Sequence, residues 1–282
     1  MGEIINGKLI AEKIKKEIAD YIELRKSENL QIPKIASILV GDDGGSIYYI
    51  NSQERVAKSL GVEFEKILFD NSILEEELIN EICKLNNRDD ISGIILQLPL
   101  PKGMNEKKVI STISPDKDID CLTYENAGKL YMGEQCYLPC TPNSVVRIIK
   151  SLNIPLEGKR VVIIGRSNIV GKPLAALMLK ENCTVTICHS KTKDLQSVCK
   201  EADILISAIG KPKFINEEFV KDGAIVIDVG TSSFEGKITG DVDFDSVIEK
   251  ASFVTPVPGG VGALTTTLLI KNSCEAMMNY ED

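Results

Sequence analysis

Hydrophobic positions in the first half of the chain alternate between helical and extended spacing. Isoleucines recur every four residues from Ile10 to Ile22, which is the spacing of one buried helix face. Short apolar runs alternate with further helical patterns after this helix. The predicted strands are residues 34–41, 62–69 and 91–98, and the predicted helices between them are residues 46–60 and 74–85. This β-α-β-α-β order predicts a parallel sheet covered by helices.

The second half of the chain has the same alternation. Its predicted strands are residues 160–164, 184–188, 204–208 and 224–229, and its predicted helices begin near Gly171 and Ala263. Two prolines interrupt the pattern at residues 138–143 (LPCTPN), and we expect the two halves to join there. The chain is therefore predicted to be an α/β protein of two domains, which agrees with 282 residues at about 150 residues per domain.

Charge and composition exclude several classes of function. The formal net charge is -8, whereas proteins that bind nucleic acid or membrane surfaces normally carry a basic excess. No apolar run approaches the roughly 18 residues that span a bilayer. The single histidine, His189, excludes most zinc hydrolases, which use two or three histidine ligands. We therefore expect neither a nucleic-acid nor a membrane partner.

Eight cysteines are present, and none of them forms a C-x-x-C pair. No secretory signal precedes them, so we expect reduced thiols in a cytoplasmic protein. Cys136 and Cys140 are the closest pair, but no second pair lies at ligand spacing. No metal site is predicted.

The segment VVIIGRSNIVGKP (residues 161–173) is the most informative local feature. A buried strand ends at Gly165 and a helix begins near Gly171, a turn that presents backbone N–H groups and a positive helix end to an anion. Ser167 occupies the position of the middle glycine of the usual G-x-G-x-x-G pattern. The alternative is a strand-to-helix turn that binds nothing.

The strand after this loop favours NADP as the ligand. An NAD site places a carboxylate about 20 residues after the glycine-rich loop, at the end of the second strand, where it binds the ribose 2′-hydroxyl. Here that strand ends in CHSKT (residues 188–192), which offers hydroxyls and a cation instead. Such groups suit the 2′-phosphate that distinguishes NADP from NAD. Arg166 in the preceding loop can hold that phosphate with its guanidinium. The alternative for His189 is a capping or surface residue.

Several polar residues lie at positions where the fold alone does not require a polar side chain. Tyr49 and Gln53 are four residues apart and share a face of the predicted helix, since such positions differ by about 40°. Gln97 interrupts the apolar strand IILQLPLP, and Asp120 lies in the acidic loop PDKDIDC. TPVPGGVG (residues 255–262) combines prolines and glycines into a tight backbone. Taken alone, each residue favours the structural interpretation: Tyr49 as a surface aromatic and Asp120 as a turn or capping residue.

Together these segments resemble the methylenetetrahydrofolate dehydrogenase/cyclohydrolase family. The matching pieces are spread over most of the chain in the family's order: VGD…S-x-x-Y, IILQLPLP, KDID, PCTP, GRSNIVGKP, CHSKT, AIVIDVG, GDVDF and TPVPGGVG. The resemblance implies a cytoplasmic NADP-dependent enzyme of one-carbon metabolism and purine biosynthesis, acting on a tetrahydrofolate substrate as a homodimer. It implies a folate-binding catalytic domain of residues 1–143 with 258–282 and a Rossmann domain of residues 144–257, with the active-site cleft between them.

The resemblance also implies roles for individual residues. The catalytic positions are Gln53, Gln97 and Asp120. The substrate-binding positions are Tyr49, which stacks on the pterin, and Pro258, Gly259 and Gly260. The NADP-binding positions are Gly165, Arg166, Ser167, His189, Ser190 and Thr231.

One residue departs from the family pattern. Bifunctional members carry Y-x-x-x-K, and Gln53 stands at the position of the lysine. Lys58 is about 180° around the helix from Tyr49, and Arg55 keeps its proton at neutral pH. Dehydrogenation needs no proton transfer by a side chain, whereas cyclohydrolase chemistry does. We therefore predict a dehydrogenase with weak or absent cyclohydrolase activity.

Three alternatives stay open at this point. The first is a fully bifunctional dehydrogenase/cyclohydrolase. The second is another two-domain NADP dehydrogenase, which would use a lysine–aspartate pair and would leave QLPLP and PVPGGVG unexplained. The third is a cofactor-binding protein that has lost catalysis.

Overall fold

The computed structural model describes residues 1–234 and 237–281, which form two units, each with its own parallel sheet. The six-stranded unit comprises Met1–Glu12 and Pro139–Thr265. The three-stranded unit comprises Lys13–Leu138 and Thr266–Asp282. Both units have the α/β architecture predicted from the alternating pattern.

The strands and helices are numbered in chain order. The strands are β1 (Glu3–Ile4), β2 (Lys34–Val40), β3 (Glu63–Phe69), β4 (Gly93–Leu96), β5 (Arg160–Ile164), β6 (Thr184–Cys188), β7 (Ile204–Ser207), β8 (Ile225–Asp228), β9 (Ser232–Phe234), β10 (Lys237–Thr239) and β11 (Phe253–Val254). The helices are α1 (Gly7–Ser27), α2 (Gly44–Ser59), α3 (Glu75–Asn86), α4 (Glu106–Ile110), α5 (Tyr124–Met132), α6 (Cys140–Lys150), α7 (Gly171–Lys180), α8 (Leu195–Cys199), α9 (Phe244–Val247) and α10 (Gly262–Glu281). Short 3₁₀ turns lie at Pro115–Lys117 and Glu217–Phe219.

The larger sheet has the strand order β1-β11-β8-β7-β5-β6, and every pairing in it is parallel. Its inner strands β7 and β8 are buried along their whole length, because a parallel sheet is covered on both faces. The chain leaves β5 towards β6 on one side and then crosses to β7 on the other. Ligands of such sheets bind at this reversal, outside the carboxyl ends of the strands.

The smaller sheet has the parallel order β3-β2-β4. Alternate residues of the central strand, Ala36, Ile38 and Val40, pack in one hydrophobic cluster with one face of α3. That face consists of Leu78, Ile82 and Leu85, whose spacing brings them to one side of a helix. The isoleucine face of α1 is buried from Ile14 to Ile22.

The structure confirms the strands and helices predicted from the pattern and adds elements that the pattern did not reveal. Residues 138–143 do not interrupt regular structure, because α6 begins at Cys140. Pro142 lies in the first turn of α6, where a missing N–H costs no intrahelical hydrogen bond. None of the described helices has both the length and the apolar character needed to cross a bilayer.

The observed division of the chain differs from the predicted boundaries of 1–143 with 258–282 and 144–257. Residues 1–12 and 258–265 belong to the six-stranded unit, and the division falls at Pro139. The reason is a pairing between distant residues, since β1 extends the large sheet by pairing Glu3 with Phe253. A two-residue strand has no periodicity by which a sequence pattern could reveal it.

Candidate functional site

Two predicted site residues of the three-stranded unit are in direct contact. Gln53 of α2 and Gln97, which follows β4, are both buried. Gln97 Nε2 donates to Gln53 Oε1 at 2.7 Å and to Ser37 Oγ at 3.0 Å. Ser37 lies on the central strand β2 and is fully buried. Ser37, Gln53 and Gln97, called the glutamine cluster below, form a buried, neutral hydrogen-bonded group.

Ser37 was missed at the level of sequence. The available signal was a hydroxyl in the otherwise apolar strand KIASILV, the same kind of interruption that singled out Gln97.

The start of α2 is set by an N-cap. Asp43 accepts hydrogen bonds from Ser46 N at 2.8 Å and Ser46 Oγ at 2.9 Å, and these bonds lower the pKa of the Asp43 carboxyl. Tyr49 and Gln53 follow on one helix face. Tyr49 is 45% exposed whereas Gln53 is buried, so the face runs from an accessible aromatic ring to the glutamine cluster.

The two lysines that follow Gln53 most closely in sequence pair with Glu54. Lys58 pairs with Glu54 at 2.8 Å, and Lys66 pairs with the same carboxylate. Arg55 is exposed. The Gln53 side chain therefore has a neutral amide as its hydrogen-bond partner, and the two lysines pair with Glu54 instead.

Asp118 organises the loop that carries Asp120. Its buried carboxylate accepts hydrogen bonds from Leu122 N at 2.9 Å and from Thr123 N at 2.8 Å. Thr123 Oγ1 and Asn126 Nδ2 also donate to it, at 2.6 and 3.0 Å. Burial raises the pKa of the Asp118 carboxyl despite these donors. Asp118 thus holds together the loop and the first turn of α5.

Lys117 in the same loop has a structural role as well. Its buried ammonium group donates to the carbonyls of Leu85, Asn86 and Arg88 at 3.2, 2.9 and 2.7 Å. These carbonyls lie at the carboxyl end of α3, where a cation is favoured. Burial lowers the pKa of Lys117.

Asp120 is the half-buried acidic residue that follows these two. A parallel bridge between Ile94 and Asp118 places its loop next to β4, the strand that leads to Gln97. The structure therefore brings Gln53 and Gln97 together and holds the Asp120 loop beside the strand that carries one of them.

Pro258, Gly259 and Gly260 belong to the six-stranded unit. Gly259 has a φ of +109° and its carbonyl accepts a hydrogen bond from Gly7 N at 3.0 Å. A Cβ on Gly260 would lie 2.6 Å from the Pro256 carbonyl oxygen, so this turn requires glycine. Pro258 is exposed, Gly259 half-buried and Gly260 buried. Packing against the start of α1 therefore explains part of the PVPGG motif.

Two glycines shape the loop between β5 and α7. A Cβ on Gly171 would lie 2.2 Å from the Gly165 carbonyl oxygen, and a Cβ on Gly165 would lie 2.5 Å from the Ala208 carbonyl oxygen. The helix thus starts in contact with the strand-end backbone, at the reversal between β5 and β7. This close approach is the one that a dinucleotide-binding turn requires.

Ser167 explains why the middle glycine of the usual pattern is absent. Its Oγ accepts hydrogen bonds from Val170 N at 3.1 Å and Gly171 N at 3.4 Å, and its carbonyl accepts one from Lys172 N at 3.1 Å. The side chain therefore closes the loop onto the first turn of α7. Arg166 and Ser167 themselves are exposed.

The other predicted cofactor residues come directly after strands of the six-stranded sheet, at the edge where those strands end. Gly165 N donates to the carbonyl of Cys188 at 2.9 Å, so the Arg166 loop and the turn after β6 are adjacent. In that turn His189 Nδ1 accepts a hydrogen bond from Lys191 N at 3.1 Å, and Ser190 is exposed. Thr231 is exposed after β8. The parallel topology places all of these residues at the carboxyl edge.

Two buried carboxylates at this edge were also missed. Asp228 accepts hydrogen bonds from Gly230, Asp241 and Val242 backbone N–H groups at 2.9 to 3.0 Å. Burial outweighs these donors and raises the pKa of Asp228 to about 7. Asp241 accepts from Ser207 Oγ at 2.9 Å. This pair ties the ends of β7 and β8 together.

Among residues 1–234 and 237–281, no group of three histidine, cysteine, aspartate or glutamate side chains is arranged to hold a metal ion.

Comparison with known families matches both parts of the chain. Residues 5–120 match the family described as tetrahydrofolate dehydrogenase/cyclohydrolase, catalytic domain. Residues 139–281 match the family described as tetrahydrofolate dehydrogenase/cyclohydrolase, NAD(P)-binding domain.

Individual relatives match over essentially the whole chain. The bifunctional protein FolD of Clostridium botulinum (strain Eklund 17B / Type B) is 70% identical, with all of both chains covered. A solved structure of the bifunctional FolD methylenetetrahydrofolate dehydrogenase/cyclohydrolase from Campylobacter jejuni superimposes with a TM-score of 0.96 at 39% identity, covering 99% of this chain and 100% of that one. The Trypanosoma brucei dehydrogenase-cyclohydrolase, solved with NADP and an inhibitor, superimposes with a TM-score of 0.95 at 32% identity. The match covers 99% of this chain and 98% of that one.

Proposed function

Because the chain belongs to the tetrahydrofolate dehydrogenase/cyclohydrolase family, we propose that it oxidises 5,10-methylenetetrahydrofolate to 5,10-methenyltetrahydrofolate with NADP. The observation that carries this proposal is the match of both family regions in order over residues 5–120 and 139–281. The reaction belongs to one-carbon metabolism.

The carboxyl edge of the six-stranded sheet fits NADP. The turn from Gly165 to Gly171 leaves no room for a Cβ at either glycine, as the tight turn and the close helix–strand packing of a dinucleotide-binding loop require. Arg166, His189 and Ser190 lie on adjacent strand ends and hold the 2′-phosphate, where an NAD site would have a carboxylate. When bound, NADP supplies the hydride acceptor.

Residues of the three-stranded unit bind and orient the folate. The exposed ring of Tyr49 stacks on the pterin, and Gln97 and Asp120 make its polar contacts. The folate nitrogen lone pair drives hydride departure, so positioning rather than side-chain proton transfer limits the reaction. A neutral glutamine cluster is sufficient for that role.

Cyclohydrolase activity is weak or absent in this proposal. Adding water to the methenyl cation and opening the ring both need proton transfer, which general acid–base groups accelerate about 10²–10⁴-fold. Gln53 does not titrate, its Oε1 is held by Gln97 at 2.7 Å, and Lys58 and Lys66 pair with Glu54 instead.

Two assays on the purified protein test the proposal. NADP reduction is followed with 5,10-methylenetetrahydrofolate, with NAD as the control cofactor, and faster reduction of NADP is expected. Conversion of methenyl- to 10-formyltetrahydrofolate is then measured against spontaneous hydrolysis without enzyme. No NADPH formation would overturn the dehydrogenase. Cyclohydrolase turnover comparable to the dehydrogenase would instead favour the bifunctional alternative, in line with the name of the botulinum relative.

The assembly proposed with this function is a homodimer, as the family resemblance implies. Sedimentation equilibrium should give a mass of two chains of 30.9 kDa each, and a single-chain mass would contradict it.

A further inference from the structure

Two cysteines meet in the three-stranded unit, outside the residues assigned to folate. Cys121 directly follows Asp120 and is buried, with a left-handed φ of +57°. Its thiol lies next to the Cys136 side chain and interacts with it. Cys136 lies in the segment between α5 and α6 and is half-buried.

The two chain segments that carry these thiols are fixed to each other. Tyr137 Oη donates to the Asp116 carbonyl at 3.0 Å. Asn272 Nδ2 of α10 donates to the carbonyls of Ile119 at 2.8 Å and Leu138 at 3.1 Å, and so bridges the segments. Each bond lies within a few residues of a cysteine. Since a disulfide needs its two backbones already close, this arrangement is suited to one.

Access to the pair is unequal. Cys136 lines a cavity of about 510 Å³ together with Asp116, Lys129 and Glu275. Cys121 is buried and does not line the cavity, and its interaction with Cys136 together with burial raises the pKa of the Cys121 thiol. A small oxidant entering the cavity therefore reaches Cys136 first, and Cys121 is the poorer initial nucleophile.

We propose that Cys121 and Cys136 form a modification site that closes to an intramolecular disulfide when a hydroperoxide enters this cavity. The Cys136 sulfur attacks one oxygen of hydrogen peroxide, the O–O bond breaks, and the other oxygen leaves as water with the thiol proton. The Cys121 sulfur then attacks the Cys136 sulfenic acid, the S–O bond breaks, and a second water leaves with the Cys121 proton. Two thiols lose two electrons in total, and one peroxide gains them.

Cys83, Cys188 and Cys199 do not line this cavity. Cys83 is exposed, and Cys188 and Cys199 are buried in the core of the six-stranded unit. Cys83→Ser is therefore a matched control that removes an accessible thiol without touching the pair.

Peptide mass mapping of the full-length protein tests the site. After hydrogen peroxide treatment and alkylation, a peptide linking Cys121 to Cys136 with the loss of two hydrogen atoms is expected, and dithiothreitol should remove the link. Cys83→Ser should keep it. Cys121→Ser should leave Cys136 as a sulfenic acid that dimedone traps, and Cys136→Ser should leave Cys121 reduced. The oxidation of Cys83 reports that peroxide has reacted with an accessible thiol. If Cys121 and Cys136 are both still alkylated at that point, or if either of them is linked to another cysteine, the proposal is wrong.

The consequence for activity rests on the proposed dehydrogenase, because the disulfide would restrain the residue next to Asp120. NADP reduction should fall in proportion to the linked fraction, recover with dithiothreitol, and stay constant in Cys136→Ser. Full activity of the linked protein would overturn this consequence. A protein with no activity in either redox state would instead argue against the dehydrogenase, since the link is measured by mass.

Discussion

At the scale of single residues, the glutamine cluster is the basis of the proposed separation between dehydrogenase and cyclohydrolase activity. Gln53 is 9% exposed and accepts a hydrogen bond from Gln97, so a charged group there would be surrounded by dipoles rather than by water. Burial of this kind lowers the pKa of a lysine towards neutrality. The geometry at position 53 is therefore compatible with an acid–base group that this chain does not have.

Replacing Gln53 with lysine should increase cyclohydrolase activity if the proposal is right. Gln53→Lys is expected to exceed Gln53→Met, a control of similar size that does not titrate, by about 10²-fold or more in methenyl hydrolysis. Both variants should retain NADP reduction with methylenetetrahydrofolate. Equal hydrolysis rates in two folded, dehydrogenase-active variants would show that the glutamine does not limit the second reaction.

Arg166 should decide the preference for NADP. Loss of a charge-assisted hydrogen bond to the 2′-phosphate is expected to raise KM for NADP about 10- to 100-fold in Arg166→Ala, with little change for NAD. Arg160→Ala serves as control, because Arg160 is at the opposite end of β5 and pairs with Glu201 at 2.9 Å. Steady-state kinetics with both cofactors measure this, and an equal loss with NAD would contradict it.

The residues that sequence reasoning found were polar side chains in apolar surroundings. Gln97 was recognised in this way, and Ser37 could have been. Lys117 and Asp118 were not recognised as structural, because their partners at Leu85–Arg88 and Thr123 are brought to them only by folding.

At the scale of elements, the contact between α7 and the end of β5 depends on glycine at position 171. A methyl group there would meet the Gly165 carbonyl oxygen at 2.2 Å, so the helix start would have to move. Moving the helix start also disturbs the hydrogen bonds that Ser167 makes to this turn.

Gly171→Ala should destabilise the six-stranded unit and weaken NADP binding together. Overpacking of this kind costs about 1–3 kcal/mol, and titration calorimetry should show a higher Kd for NADP. Gly128→Ala is the matched control, because Gly128 lies in α5 and a Cβ added there would meet no other atom within 4 Å. That control should gain up to about 1 kcal/mol from helix propensity. Unchanged NADP affinity in Gly171→Ala would contradict the proposed loop function.

Long elements were predictable because their hydrophobic period repeats several times, as in α1, α3 and the strands of both sheets. Short elements were not. β1 and β11 have two residues each and exist by pairing with strands distant in sequence. α6 was hidden by two prolines that are compatible with a helix, because Pro139 lies at its N-cap and Pro142 in its first turn.

At the scale of the whole molecule, acidity acts on stability in two directions. Carboxyl groups whose pKa is lowered by ion pairs, such as Glu65 and Asp203, contribute stability that is lost as pH falls. Burial instead raises the pKa of Asp228 from 3.8 to about 7. The folded state binds this proton more tightly than the unfolded state, so the contribution of Asp228 is largest below its unfolded pKa and is lost as pH rises through its folded pKa.

The Asp228→Asn variant should reveal how much the protonation of Asp228 contributes to stability, because asparagine does not titrate. The free energy of unfolding of the natural protein minus that of the variant is expected to fall by up to about 4 kcal/mol between roughly pH 4 and pH 8, and to be flat above that range. Denaturant titrations followed by circular dichroism at several pH values measure it. A difference that increases with pH would mean that the three N–H donors outweigh burial and hold the carboxyl ionised.

The sequence by itself determined the α/β class, most strands and helices, the turn from Gly165 to Gly171 and the family, because these features are carried by local periodicity and contiguous motifs. Tertiary structure decided the rest. Ser37 and Gln53 meet Gln97 across 60 and 44 residues of chain, and Cys121 meets Cys136 across α5. Residues 1–12 join the six-stranded unit because β1 pairs with β11. Such contacts depend on which strands lie side by side, and no short-range pattern along the chain encodes that choice.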